Sequence, residues 1–134
     1  MTARVLTLIE DDYERYYIDN HGLKQGEYKR WARNGKLIEH CWMKDHNFHG
    51  EFKSWYDNGK KCEFAFFKNG HAIGEDMTWT TEGKVDIHEY LDQDGNTLDL
   101  RAEFDIHNLT KEDKFYIQLT YGIPFLSARF KRPL

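Results

Sequence analysis

Aromatic and aliphatic side chains partly alternate with polar ones in short runs, and glycine punctuates the runs at a fixed period. Trp31, Trp55 and Trp79 fall 24 residues apart. Gly26, Gly50 and Gly74 lie five residues before them, and Gly35, Gly59 and Gly83 four after. A constant period of this length marks a repeat array. Glu27, Glu51 and Glu75 follow the first glycine of each unit, Lys36, Lys60 and Lys84 follow the second, and Trp42, Phe66 and Tyr90 form an aromatic column. Tyr17–Gly22 matches Ala65–Gly70 as a partial fourth unit. The third unit drifts at Asp76, Glu82 and Asp86, as terminal repeats do where no neighbour follows.

Each unit reads as a hairpin. Asn34-Gly35 and Asn58-Gly59 predict two-residue type I′ turns, which need positive φ at both central positions. The flanking runs, about Glu27–Arg33 and Lys36–Lys44 in the first unit, have the aromatic content of strands. A two-residue turn pairs Arg33 with Lys36, Trp31 with Ile38, Lys29 with His40 and Glu27 with Trp42. One face then holds Trp31, Ile38, Trp42, Trp55, Cys62, Phe64, Phe66, Met77, Trp79 and Tyr90. The other holds Tyr28, Arg30, Ala32, Leu37, Glu39, Cys41 and Met43, with Arg30 opposite Glu39 as a cross-strand ion pair. The tryptophan face is expected to be buried as one ladder. A one-residue slip would exchange the faces. Gly26, Gly50 and Gly74 are expected to start strands after inter-hairpin loops, where the chain bends tightly or another backbone approaches.

Outside the array, Arg4–Ile9 predicts a first strand, Glu10-Asp11-Asp12 a solvated turn and Leu98–Ile106 a final strand. Thr110, with Asp113 three residues on, is a capping-box-like helix start. The helix should run about Lys111–Tyr121 and stop at Gly122, with Phe115, Leu119 and Gly122 on one side. It could cover a face or the open end of the sheet. The fold expected is mainly β: a single elongated, twisted antiparallel sheet of stacked 24-residue hairpin repeats, with a C-terminal helix packing on or capping it. One domain is expected over 1–134, with an N-terminal strand in 1–16, repeats in 17–97, and a final strand, helix and tail in 98–134.

Composition narrows the function. The chain has 134 residues and a formal net charge of −4, which argues against a general nucleic-acid binder. No run of apolar residues is long enough for a membrane span, and the N-terminus lacks the apolar stretch of a secretory signal. Cys41 and Cys62 could pair, but two cysteines do not make a secreted scaffold, and reduced thiols in a cytoplasmic protein are the simpler expectation. Arg129, Lys131 and Arg132 make a short basic tail, slight support for membrane contact.

Chemistry is sparse. A zinc site needs three or four converging ligands. His46 and His49 share one loop and His71 sits in the next, while His40 and His88 occupy one column two repeats apart and should not meet. His40 and Cys41, being adjacent on a strand, point to opposite faces. No Gly-x-Ser-x-Gly, His-Glu-x-x-His or P-loop pattern occurs. No catalytic residue, metal or cofactor is expected. Tyr28, Phe52 and Tyr56, with Phe48 and His49 in or beside the loop Asp45–His49 and a second loop at Lys68–Ile73, are the candidate interaction surface; the aromatics are either exposed or packed under the helix.

The unit Gly-Glu-[Tyr/Phe]-Lys-x-Trp-x-x-Asn-Gly-Lys, followed by an aromatic strand and Lys-Asn-Gly, resembles the MORN-repeat variant. Such repeats occur in bacterial YwqK-type antitoxin proteins and in repeat proteins of giant DNA viruses. The resemblance covers about Tyr17–Gly95 and is best in Gly50–Ile73. It implies stacked antiparallel hairpins and protein association, sometimes at membranes. The function expected is a non-catalytic interaction or assembly module binding another protein, with homo-oligomers allowed, in a host cytoplasm or, if viral, a virion. The alternative is an antitoxin or immunity-type inhibitor whose acidic surface blocks an enzyme.

Overall fold

The computed structural model describes residues 5–101, 103–106 and 108–125. It is one open, antiparallel sheet of eight strands in chain order with a single C-terminal helix. The strands are β1 (Thr7–Glu10), β2 (Glu14–Ile18), β3 (Gly26–Trp31), β4 (Leu37–Lys44), β5 (Asn47–Trp55), β6 (Lys61–Lys68), β7 (His71–Trp79) and β8 (Val85–Leu91); the helix is α1 (Lys111–Tyr121). Every pairing is between sequence neighbours, so all ladder contacts are local along the chain. Among the described residues no helix is long and apolar enough to cross a membrane.

The turns differ from the sequence expectation in a regular way. Asn34 and Asn58 do not adopt positive φ; Gly35 and Gly59 do. The turns are four residues long, closed by Gly35 N–H to Ala32 O and Gly59 N–H to Tyr56 O. The strand register shifts beside each of them, so Trp31 pairs with Leu37, not Ile38, and Arg33 does not pair with Lys36 within the ladder. Farther from the turn the expected pairs Lys29–His40 and Glu27–Trp42 hold. A four-residue turn followed by a left-handed glycine asks for one strained residue where a type I′ turn asks for two. That frees each asparagine to bridge. Asn34 Oδ1 accepts from Lys36 N and its Nδ2 donates to Asp57 O, in the next turn along. Asn58 does the same with Lys60 N and Thr81 O. Glu82 replaces the asparagine in the third unit, and its backbone carbonyl accepts from Lys60 Nζ of the second.

The two-residue turns with positive φ at both positions lie in the segments expected to be loops. Asp45-His46 (φ 48° and 70°) joins β4 to β5, and Asn69-Gly70 (φ 50° and 87°) joins β6 to β7. The strands therefore run through Phe48 and Ala72, and Asp45–His49 and Lys68–Ile73 are not loops. Gly50 and Gly74 are likewise interior to β5 and β7, at bulges, although Gly26 does open β3. At these bulges Trp42 of β4 faces His49, Gly50 and Glu51, and Ala65 of β6 faces Gly74, Glu75 and Asp76. Positive φ at Gly50 and Gly74 is what such bulges require.

One buried cluster lies on the tryptophan face at the β5–β8 end. Phe64, Met77 and Trp79 are buried, with Trp55 and Phe66 packed against them. The ladder is not tryptophan on tryptophan: Phe64 stands between Trp55 and Trp79, edge-on to both at 5.9 and 5.3 Å. Trp31 is half-buried, and Trp42, placed by its register on the buried face, is exposed. A second core joins Tyr90 to Leu100, Ile117 and Ile123. The expected final strand Leu98–Ile106 is not one. After Leu98 N–H bonds to Tyr90 O, the chain turns at Leu100–Phe104, and Leu98, Leu100, Phe104 and Ile106 wrap the helix.

The helix has the expected ends. Thr110 and Asp113 form a reciprocal capping box, and Gly122 closes it with φ 64°. Ile117 is buried, while the side that carries Phe115 and Leu119, with Tyr116 beside it, faces outward. Asp11 accepts the N–H groups of Tyr13 and Glu14, making the acidic turn after β1. Cys41 and Cys62 are free thiols. Arg4 and the tail Ser127–Leu134 lie outside the described residues.

Candidate interaction surface

The face away from the tryptophans was the sequence candidate, and its aromatics prove to be packed into the scaffold. Tyr28 is buried, stacked on Tyr16 at 5.9 Å, and its hydroxyl donates to Glu14 at 2.9 Å. Lys24 Nζ sits over both rings, at 4.7 and 5.0 Å from their centroids. Phe48 and Phe52 are half-buried and, with Phe67, form a cluster with centroids 5.3–5.5 Å apart. Tyr56 donates its hydroxyl to Trp79 O at 2.6 Å, and His49 Nδ1 accepts from Asn69 N–H. None of the five is exposed. None of them lies under α1, which packs instead around Tyr90 on the tryptophan side. A single-layer sheet explains this: with no second layer, neighbouring side chains on one face bury each other sideways.

What remains open on that face is a polarity pattern. Register places Arg30, Glu39, Ser54, Glu63, Thr78 and Ile87 in one row across six strands. Glu14 pairs with Arg30, and Asp76 with Glu89, on the same side. Five carboxylates thus share the face with Arg30, which is held by Glu39 at 3.0 Å. Glu63 and Asp76 sit close enough to share a hydrogen bond, and burial raises the pKa of both. Asp76 is pushed up to about 7, first by burial and then by the charges of Glu63 and Glu89. One Asp76 oxygen is buried without a hydrogen-bond partner among the described residues. The spacing of Asp76 from Tyr28 and Phe52 could have drawn attention to this pair, since a carboxylate there replaces an aromatic.

His40, His46 and His88 make local contacts. His40 pairs with Glu27 at 3.0 Å and His88 with Glu75 at 2.7 Å, the same contact two units apart. His46 Nδ1 accepts from Lys24 N–H. Among the described residues no three His, Cys, Asp or Glu side chains are grouped as a metal ion would require. A cavity of about 270 Å³ opens between β8 and the following segment, lined in part by His88, Tyr90, Leu98, Leu100 and Ile106.

The exposed apolar side chains include several on α1, and Trp42. Phe115 and Leu119 of α1 are 62% and 71% exposed, with Tyr116 beside them. Trp42 is exposed on the tryptophan face. Their residue types were visible in the sequence; their exposure depends on where the C-terminal segment lies. Set against protein-family models, curated proteins and solved structures, the chain matches none of them.

Proposed function

We propose that this is a non-catalytic protein-interaction module built from MORN-like variant repeats. It docks a partner on the face away from the tryptophans. The observation that carries the reading is the juxtaposition on that face of the half-buried Phe48–Phe52–Phe67 cluster with Glu14, Glu39, Glu63, Asp76 and Glu89. An apolar patch rimmed by like charge fits a partner with cations around an apolar centre. The same surface suits the second reading, an antitoxin or immunity-type inhibitor that covers the basic substrate site of an enzyme. Both readings fit a cytoplasmic protein, in a host cytoplasm or a virion if it is viral. Contact with membranes through Arg129, Lys131 and Arg132 has less support, because it rests on three charges alone.

The test is affinity capture from native extract, read by mass spectrometry, with wild type and Glu89→Lys compared. The reading expects a partner richer in Lys and Arg than this chain, released by about 0.5 M salt and depleted by Glu89→Lys. Capture lost instead in Phe115→Asp/Leu119→Asp, and kept in Glu89→Lys, would move docking to the outer face of α1. Tight one-to-one inhibition of a captured enzyme would select the second reading.

A further inference from the structure

The chain already shows what one of its repeats can bind. At the bulge of the third unit, Pro124 O accepts from Glu75 N–H at 3.1 Å, and the proline ring lies against Gly74. A Cβ on Gly74 would lie 2.5 Å from that oxygen, so the fit requires glycine. Phe125 packs its ring on Tyr90, with centroids 5.6 Å apart. The seat is therefore a Gly-Glu bulge on one strand and an aromatic directly opposite Glu on the next, filled by Pro124 and Phe125, with Ile123 before them buried in the cluster around Tyr90.

The first two units repeat the Gly-Glu pair with an aromatic opposite the glutamate, and the second also has the bulge at its glycine. Register pairs Glu27 with Trp42 and Glu51 with Phe66, as it pairs Glu75 with Tyr90. Gly26 and Gly50 have positive φ like Gly74. Occupancy differs. Tyr90 is 3% exposed and Trp42 is 42% exposed; the Glu75 side chain is fully buried, while those of Glu27 and Glu51 are 30% and 40% exposed. Nothing lies within 4 Å of the position a Cβ would take on Gly26, and at Gly50 the nearest atoms are those of Trp42, from 3.6 Å.

We infer that the seats of units one and two, centred on Trp42, form a docking groove for an extended segment of another protein carrying an aliphatic-Pro-aromatic triplet. The inference rests on the reading that the protein works by non-catalytic association, and adds a second surface to it. The contact is apolar and backbone-directed. Proline presents its ring and carbonyl without an amide donor to desolvate, and the exposed tryptophan supplies the anchor. Lys29 and Lys53 lie beside Glu27 and Glu51, at 4.0 and 3.9 Å, so the groove has little net charge to select a charged ligand.

The experiment is a fluorescence-anisotropy titration of full-length protein into a labelled synthetic peptide copying residues 120–128, Thr-Tyr-Gly-Ile-Pro-Phe-Leu-Ser-Ala. Saturable binding is expected, with little change up to about 0.5 M salt. Trp42→Ala should weaken it about tenfold or more, Trp42→Phe should restore most of it, and a peptide with Ala for Pro and Phe should not compete. Equal affinity for Trp42→Ala, or no saturation up to about 1 mM protein, overturns the inference. Self-association of wild type that Trp42→Ala abolishes makes the occupant a second copy and overturns the assignment to a foreign segment. Neither result bears on Glu89→Lys, which tests the opposite face.

Discussion

The first and third repeats share a register and differ on both faces. On the tryptophan side, Glu27 and Trp42 stand open where Glu75 and Tyr90 are closed under Pro124 and Phe125. On the other side, Tyr28 is buried against Tyr16 where Asp76 shares a hydrogen bond with Glu63. The two share a left-handed glycine, a glutamate paired with an aromatic, and a register shift just before the tryptophan. Repetition therefore dictates local geometry, while burial depends on what arrives from elsewhere in the chain. A repeat cannot bury its apolar face alone, and the described part of the C-terminal segment covers the last unit.

That contrast can be broken most sharply at the aromatic column. Tyr90→Ala should cost about 3–5 kcal/mol in urea titration, as large-to-small changes in a packed core do. Trp42→Ala should cost less than about 1 kcal/mol, as for surface positions. Comparable losses would mean that the first seat is closed too.

The glycines come next. Gly26→Ala forces an L-residue into φ near 81° with open space around it, a cost of about 1–2 kcal/mol. Gly74→Ala adds a collision with Pro124 and should cost about 1–3 kcal/mol more. Equal melting shifts for the two variants would show that Pro124 does not hold the seat.

The contrast between Tyr28 and Asp76 can be read in the pH dependence of stability. Asp76 has its pKa raised on folding to about 7, from about 4 in the unfolded chain, and Glu63 is raised in the same direction by burial. In that window the native state binds more protons than the unfolded one, so this contribution is full below about pH 4 and lost as pH rises through about 7. Asp76→Phe, which restores the aromatic of the other units, should flatten the fall in denaturation midpoint between pH 5 and 8. A slope unchanged by the substitution would detach the effect from this pair.

Much of the fold was legible because its determinants are short-range. The 24-residue register, the strand runs, and the helix with its Thr110–Asp113 box and Gly122 stop each depend on residues a few positions apart. The turns were misassigned for a subtler reason. Asn-Gly satisfies a type I′ turn, but Asn34 and Asn58 contribute more by bridging to Asp57 and Thr81 in the next unit, contacts more than twenty residues away in the chain. The positive-φ pairs went to Asp45-His46 and Asn69-Gly70, and both segments then read as strand ends where loops had been expected. The interaction candidates failed by a related logic. Alternation places Tyr28 and Phe52 on the face away from Trp31, but Tyr16, Phe48 and Phe67 on neighbouring strands decide how much of them water reaches.

The sequence alone determined the repeat, its period, the antiparallel hairpins and the capped helix, because each is a local conformational preference reinforced by copying. Tertiary structure alone decided which copies are closed, which way α1 turns its apolar residues, and that Asp76 sits against Glu63. Those outcomes depend on packing between segments far apart in the chain, and identical units receive different neighbours. Trp42 and Tyr90 occupy one column of the repeat, and only the path of residues 98–125 leaves the first exposed and covers the second.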